Sequence, residues 1–119
     1  MLIPLFRNVR NPYFSIIAPG FQSSRLGSEK HRPALVLSDG AGFNRAAGHS
    51  VMAMITTAGH SPWPLDVPIR DLKAAGLPAP SIARFKLFTL DHRLVRGTLG
   101  RLADKDRTNV QKAIRRLLR

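Results

Sequence analysis

One arginine in this sequence stands where a folded chain can hold a cation in a fixed position. Arg32 precedes Pro33, the apolar run Ala34-Leu35-Val36-Leu37 and the turn residues Ser38-Asp39-Gly40. The proline ring clashes with a helical residue before it, so Arg32 is expected to be extended. The apolar run bounded by turn residues predicts a buried strand. A guanidinium at the end of such a strand is well placed to bind a phosphate; the alternative is an ordinary solvated charge.

A second apolar segment, at residues 51–57, ends in two threonines. Its side chains alternate between two faces, and both faces are mostly apolar, which predicts a central strand. Thr56 is the polar residue near the end of that strand. Thr57 is next to it and points to the opposite face.

Metal-dependent and covalent mechanisms have little support in the sequence. The chain has no cysteine, which excludes a disulfide framework, a thiolate-ligated zinc and a cysteine nucleophile. It has four histidines and seven acidic residues, but no HxxxH helix, close carboxylate cluster, nucleophile elbow or P-loop. We therefore expect neither a metal nor another cofactor. His31 and His60 are candidates for acid–base work because histidine titrates near neutrality, or they are ordinary loop residues.

The charge of the chain favours a polyanionic partner. The 119 residues carry a formal charge of +12, and 14 of the 19 basic residues are arginine, whose planar fork fits phosphate. Nucleic acid, an acidic protein or both are the expected partners; a merely soluble basic surface is the alternative. A hydrophobic fraction of 44% suits one domain over residues 1–119. No apolar run is long enough for a membrane helix, and the lack of cysteine fits the cytoplasm.

Further basic residues are predicted to lie where a nucleic acid can reach them. The loop at residues 21–31 carries Arg25, Lys30 and His31 among glycines and serines, which suits contact with phosphates. In the predicted strand at residues 81–90, alternation places Arg84 and Lys86 on an exposed face. The opposite face is expected to be core: Ala83, Phe85, Leu87 and Thr89. Trp63, between two prolines, either stacks on a base or seals the core.

The remaining pattern predicts short strands and one long helix. We expect strands at residues 13–19, 65–69 and 93–101, the last bent at its glycines, and one helical turn at 71–75 that ends at Gly76. Asp104 and Asp106 are interpreted as charges at the start of the last helix, with arginines in its final turn, as the helix dipole favours. Five or six short strands with a terminal helix predict a small, curved, mostly antiparallel barrel.

The segment from Gly27 to Ser38 resembles the one that opens the shared part of the MazF/PemK family of toxin ribonucleases. Further segments follow in the family's order: Gly42-Phe43-Asn44, Val51 to Thr57, Gly76-Leu77 with Pro80-Ser81, Leu87 to Asp91, and Gly97 to Leu102 before the closing helix. The resemblance covers residues 27–118. Residues 1–26 are atypical, because they lack the Gly-Asp pair with which family members usually begin.

The resemblance implies an SH3-like barrel of the MazF/PemK/CcdB type with a C-terminal helix, usually found as a homodimer. Arg32 and Thr56 match two catalytic positions of these enzymes. Arg32 would clamp the phosphate and Thr56 would orient it, so the two must face each other from neighbouring strands. RNA-binding roles are expected for a surrounding set: Arg25, Lys30, His31, Asn44, Thr57, Ser81, Arg84 and Lys86. Asn44 and Ser81 match recurrent family positions, with turn and loop hydrogen bonding as their alternative.

The activity that the resemblance implies is metal-independent cleavage of single-stranded RNA by the toxin of a toxin–antitoxin pair. The ribose 2′-OH attacks the adjacent phosphorus and leaves a 2′,3′-cyclic phosphate and a 5′-hydroxyl. The enzyme must orient that hydroxyl, stabilise the phosphate charge and move protons. An acidic antitoxin would cover and neutralise the site. The alternatives are a non-catalytic member of the fold, such as a CcdB-like gyrase poison or a degenerate RNA- or antitoxin-binding protein, and a generic basic RNA- or DNA-binding module.

Overall fold

The computed structural model describes residues 14–19, 32–59 and 61–119. The chain forms six strands: β1 (Ser15–Pro19), β2 (Ala34–Val36), β3 (His49–Thr57), β4 (Val67–Ile69), β5 (Ser81–Asp91) and β6 (Val95–Arg101). A π-helical turn (Gly40–Asn44) runs into α1 (Arg45–Ala47), α2 (Leu72–Ala75) follows β4, a 3-10 turn (His92–Leu94) joins β5 to β6, and α3 (Asp104–Leu118) follows β6. The predicted strands and the long helix are confirmed, with shifted bounds.

All six strands belong to one sheet in the order β4-β5-β3-β2-β1-β6, and each neighbouring pair is antiparallel. β3 lies between β2 and β5, as its two apolar faces predicted. The small, curved, mainly antiparallel fold with a C-terminal helix is therefore confirmed. Within the described ranges no ladder joins β4 to β6, so hydrogen bonds do not close the sheet into a full barrel.

Side chains on the two faces of the sheet form two hydrophobic clusters. The larger cluster contains Leu35, Ala53 and Ile55 of the central strands together with Val110 and Ala113 of α3. The smaller cluster lies on the other face and contains Ile17, Ala34, Val36, Met52 and Leu90. The apolar residues of α3 are only partly core, because Leu117 and Leu118 are exposed.

An irregularity in β5 corrects part of the predicted core. The pairing of β3 with β5 shifts between Met52, which faces Phe88, and Met54, which faces Arg84. Three residues of β5 therefore lie opposite Ala53 alone, and the strand bends there. Ala83 and Phe85 are buried as expected. The prediction that Leu87 and Thr89 are core is wrong, since both lie beyond the irregularity and are exposed.

Asp106 fastens α3 to the edge of the sheet. Its carboxylate is fully buried and accepts hydrogen bonds from the backbone N–H groups of Arg70 and Asp71, each at 2.9 Å. Those two residues connect β4 to α2. Asp104 and Asp106 do lie in the first turn of α3, as predicted, but Asp106 also joins three elements at one point. No helix within the described ranges is long and apolar enough to span a membrane.

The gap between β4 and β6 is occupied by α2, which packs directly on β6. The close approach of α2 to β6 requires glycine at two positions. The helix ends at Gly76, as the sequence predicted, and Gly76 has the left-handed conformation with φ of 72°. A Cβ on Gly100 would lie 2.4 Å from the carbonyl oxygen of Ala74 in α2. Backbone-to-backbone contact with a helix therefore takes the place of a strand ladder at this edge.

Replacing Gly100 by Ala is expected to lower the free energy of unfolding by about 1–3 kcal/mol, because the added methyl overpacks rigid backbone. Urea denaturation followed by circular dichroism measures the change. Gly97→Ala is the matched control in the same strand: its Cβ would meet nothing within 4 Å, so it is expected to be neutral or slightly stabilising. Equal stability of the two variants would contradict the packing of α2 on β6.

Candidate functional site

The pairing of β2 with β3 brings the two predicted catalytic residues to one end of the sheet. Ala34 pairs with Met54, and the N–H of Ile55 donates to the carbonyl oxygen of Pro33 at 3.3 Å. One further step in this register places Arg32 opposite Thr56. Residues that lie opposite each other in an antiparallel pair share a face and have neighbouring side chains.

Arg32 and Thr56 differ in their exposure to solvent. Arg32 is exposed, and among the described residues no hydrogen bond or ion pair engages its guanidinium. Thr56 is 9% exposed and pairs with Ile82 of β5. Thr57 is exposed and pairs with Ser81. The arrangement combines an exposed cation that no described residue engages with a largely buried hydroxyl at the same end of the sheet, which suits the binding of an anion.

Arg84 is not on an exposed face, and that part of the sequence prediction is wrong. The residue is 9% exposed. Its Nε and Nη2 donate to the two carboxylate oxygens of Asp66 at 3.1 and 3.0 Å, and Nη2 also donates to the carbonyl oxygen of Ser61 at 2.7 Å. The loop after β3 folds back over β5 and covers the guanidinium. Arg84 therefore positions this loop, and its guanidinium is not on the open face that the predicted contact with RNA requires.

The ion pair changes the titration of both partners. The hydrogen bond from Arg84 lowers the pKa of Asp66 below its ordinary value of 3.8, although burial opposes the shift. The same hydrogen bond raises the pKa of Arg84. Both groups therefore stay charged over the whole neutral range. Asp66 is not among the predicted site residues, because the strand predicted at residues 65–69 includes it, whereas β4 begins at Val67.

Lys86 is exposed, as predicted, and its ammonium lies over the ring of Trp63 at 4.5 Å from the ring centroid. Trp63 is 40% exposed, so it does not seal the core. The two side chains form a cation–π contact. It lies beside the Arg84–Asp66 pair, on the loop that follows Thr56 and Thr57.

Asn44 and Ser81 have structural partners. Asn44 is buried; its Oδ1 accepts from the hydroxyl of Ser38, and its Nδ2 donates to the carbonyl oxygen of Ser38 at 3.1 Å. It orders the turn after β2, at the end of the sheet away from Arg32, which agrees with the structural alternative; its contact with RNA stays a prediction. Ser81 is largely buried and donates to the carbonyl oxygen of Ala79 at 2.8 Å. It lies near Thr57 but holds the start of β5.

Four predicted residues lie outside the part of the chain that the structure describes: Arg25, Lys30, His31 and His60. Within the described part, no group of three or more histidines and acidic residues could hold a metal ion.

A buried polar pair lies at the opposite end of the sheet. The hydroxyl of Ser50 and Nε2 of His92 are 2.7 Å apart, and both residues are buried. Burial lowers the pKa of His92, and the neighbouring His49 lowers it further. His49 pairs with Asp91 across β3 and β5, far along the strands from Thr56. This group therefore belongs to the framework of the sheet and not to the site at Arg32.

Replacing Asp66 by Asn is expected to lower the melting temperature at neutral pH, because Arg84 stays in place but loses its paired charge. The depressed pKa of Asp66 means that the carboxylate stabilises the fold above 3.8 and that this contribution is lost as the pH falls through the lower value of the folded chain. The difference from wild type is therefore expected to shrink at acid pH in a calorimetric pH series.

Asp104→Asn is the matched control for this prediction. Asp104 pairs with Arg107 at 2.9 Å, but its side chain is 93% exposed, and exposed pairs contribute little. A difference between wild type and Asp66→Asn that stays constant down to the lowest pH would contradict the assigned ion pair.

Comparison with known proteins identifies the family and the fold of the chain. The model of a family described as "PemK-like, MazF-like toxin of type II toxin-antitoxin system" matches residues 14–118. No curated protein is a significant match. A structure of MazE–MazF from Deinococcus radiodurans has a TM-score of 0.66 at 19% identity, over 89% of this chain and 92% of the other.

Two mycobacterial structures are similar to the same degree. Mycobacterium tuberculosis toxin MazF-mt6 gives a TM-score of 0.63 at 22% identity, over 84% of this chain and 91% of the other. An endoribonuclease in complex with its cognate antitoxin from a mycobacterial species gives 0.66 at 16% identity, over 92% and 95%. At these identities the structures establish a common fold. Since the family model matches nearly all of the described sequence, the chain belongs to the PemK-like, MazF-like toxins of type II toxin–antitoxin systems.

Proposed function

We propose that the chain is an endoribonuclease toxin that cleaves single-stranded RNA without a metal. The ribose 2′-oxygen bonds to the adjacent phosphorus while the bond from phosphorus to the 5′-oxygen breaks. The proton leaves the 2′-hydroxyl and another reaches the 5′-oxygen, so the products are a 2′,3′-cyclic phosphate and a 5′-hydroxyl. The nucleophile belongs to the substrate, so the protein needs only to orient the 2′-hydroxyl, stabilise the charge on the phosphate and move protons.

The observation that carries this proposal is the register of β2 against β3, which, when it is continued past Pro33 and Ile55, supports a position of Arg32 opposite Thr56. An exposed guanidinium that no described residue engages can form a fork with two phosphate oxygens. Its role is electrostatic, because arginine does not lose its proton in proteins. The hydroxyl of Thr56 can donate a hydrogen bond to a phosphate oxygen. A donor of this kind in a water-poor site contributes very roughly 3 kcal/mol to transition-state binding.

The neighbouring residues extend the site along the RNA. Thr57 is exposed at the same end of β3, and Lys86 is exposed in β5 beside the loop that follows Thr57; both can bind flanking nucleotides. We assign the same role to Arg25, Lys30 and His31 on the basis of their charge and their place in the sequence next to Arg32. Ser81 supports Thr57 from the paired strand.

We further propose that the protein is a homodimer and that an acidic antitoxin neutralises it in the cytoplasm. The formal charge of +12 supports an acidic partner. Similar folds have been determined with a MazE antitoxin in Deinococcus radiodurans and with a cognate antitoxin in a mycobacterial species. A segment that covers Arg32 would block access of RNA to the same end of the sheet.

Arg32→Ala is expected to reduce cleavage of a long RNA at least about a hundredfold, because it removes the only proposed clamp on the phosphate. The assay contains EDTA and separates fragments on a denaturing gel, and circular dichroism checks the fold. Arg45→Ala removes the same charge from the other end of the sheet, where Arg45 is exposed, and is expected to cut normally. A folded Arg32→Ala protein that cuts as wild type does would remove Arg32 from the site.

Retained antitoxin binding by a wild-type protein that cuts no RNA would favour the non-catalytic alternative.

Thr56→Val tests the hydroxyl separately from the packing. Valine keeps the shape of the buried threonine, so the fold should hold, while the loss of the hydroxyl is expected to slow cleavage by roughly a hundredfold. Thr56→Ser restores the oxygen and should recover most of the rate. If the valine variant cuts faster than the serine variant, the hydroxyl has no part in the reaction.

A further inference from the structure

The loop between β3 and β4 presents one aromatic ring in a fixed position. We call residues 61–66 the Trp63 loop. Trp63 lies between Pro62 and Pro64 and is 40% exposed. The backbone N–H of Trp63 donates to Oδ2 of Asp66 at 3.0 Å, and the backbone N–H of Asp66 donates back to the carbonyl oxygen of Trp63 at 3.2 Å. The two prolines restrict the backbone further, so this large exposed side chain stands on a stiff turn.

Two interactions with β5 fasten the Trp63 loop to the sheet. Arg84 holds it at both ends, through Asp66 and through the carbonyl oxygen of Ser61. Leu65 adopts a left-handed backbone conformation with φ of 65°, which bulky residues rarely occupy and which must be imposed by the surrounding bonds. The largely buried Arg84–Asp66 ion pair thus holds the solvent-facing turn that carries Trp63.

Lys86 supports the ring directly. Its ammonium lies 4.5 Å from the centroid of the indole, and a cation over the face of tryptophan is the strongest contact of this type. The ring is thereby oriented from the side of β5. A planar group can then stack on its other side.

The register of the sheet places Arg84, which holds the Trp63 loop, on the same face as Thr56. Arg84 pairs with Met54 and Ile82 pairs with Thr56, so the side chains of Arg84 and Thr56 lie on one face, about 7 Å apart along the strand. The Trp63 loop is drawn over that same face by Arg84. The ring therefore lies over the same face of the sheet as the proposed catalytic pair.

We propose that Trp63 is a stacking platform for one unpaired RNA base next to the scissile phosphate, with Lys86, Arg84 and Asp66 as its positioning residues. The proposal rests on the function proposed above and adds a subsite to it. Aromatic side chains bind single-stranded RNA by stacking on bases that have left their own stack. A rigid platform loses little conformational entropy when the base binds. The subsite accepts a base from an unpaired strand and excludes a base that is held within a duplex.

The tryptophan fluorescence of the protein tests the platform directly, because Trp63 is the only tryptophan in the chain. The probe is a set of short randomised RNA oligonucleotides with 2′-O-methyl groups, which cannot be cleaved because the attacking hydroxyl is blocked. Stacking is expected to quench the emission as the oligonucleotide is added, whereas an abasic oligonucleotide of the same length should bind without quenching. Binding of the randomised set without any change in the emission of Trp63 overturns the proposal, and so does the absence of any RNA binding.

Substitutions test the contribution of the ring to binding. Trp63→Ala is expected to weaken binding of the oligonucleotides about tenfold to a hundredfold, and Trp63→Phe should retain most of the affinity. Lys86→Met removes the cation but keeps an aliphatic side chain, and it should reduce the quenching that RNA causes at Trp63. Phe43→Ala is the matched control, since Phe43 is an aromatic residue with 41% exposure at the other end of the sheet, and it should bind as wild type does.

The outcomes separate this inference from the proposed function. If wild type cuts RNA and a folded Trp63→Ala variant binds and cuts equally well, the platform is refuted while the nuclease stands. If RNA quenches Trp63 and the quenching requires a base, but no RNA is cut at any concentration, the platform stands and the nuclease is refuted.

Discussion

The site depends on the register between β2 and β3. In this pairing Ala34 faces Met54 and Val36 faces Met52, and the same side chains form the smaller hydrophobic cluster. A slip of one residue would turn every side chain of β2 to the opposite face. The buried alanine and valine would then be exchanged with Leu35, which fills the larger cluster. The packing of both faces therefore fixes the place of Arg32 relative to Thr56, although neither residue belongs to either cluster.

The few carboxylates of this basic chain are used inside the fold. Asp66, Asp91 and Asp104 each pair with an arginine, and Asp106 binds two backbone N–H groups. Arg32 has no such partner among the described residues. In a chain with a formal charge of +12, Asp66 and Asp106 thus hold a loop and a helix in place, and the surplus of positive charge is left to the surface. That division suits a protein whose partners are polyanions.

Local patterns predicted the elements well, because apolar alternation and turn residues are properties of single segments. The turn of helix before Gly76, the central position of β3 and the long final helix all follow from such signals. The match to the family model begins at residue 14 and so includes β1. It includes this strand although the sequence lacks the Gly-Asp pair with which family members usually begin.

The errors come from contacts between segments. Alternation placed Arg84 on an open face because nothing in β5 shows that the loop after β3 folds over it. Leu87 was expected in the core because one strand does not reveal a register shift against its neighbour. Both errors involve a partner in another segment, which a pattern within one segment does not contain.

The bonds of Asp106 have a consequence for partial unfolding. Because this carboxylate binds the segment between β4 and α2, the final helix cannot detach as an independent unit. Release of α3 would remove the hydrogen-bond acceptors of the Arg70 and Asp71 amides. It would also loosen α2 at the open edge of the sheet and expose the apolar side chains that α3 covers. Fraying at this end is thereby coupled to loss of the sheet, so we expect the helix and the strands to exchange their amide hydrogens as one cooperative unit.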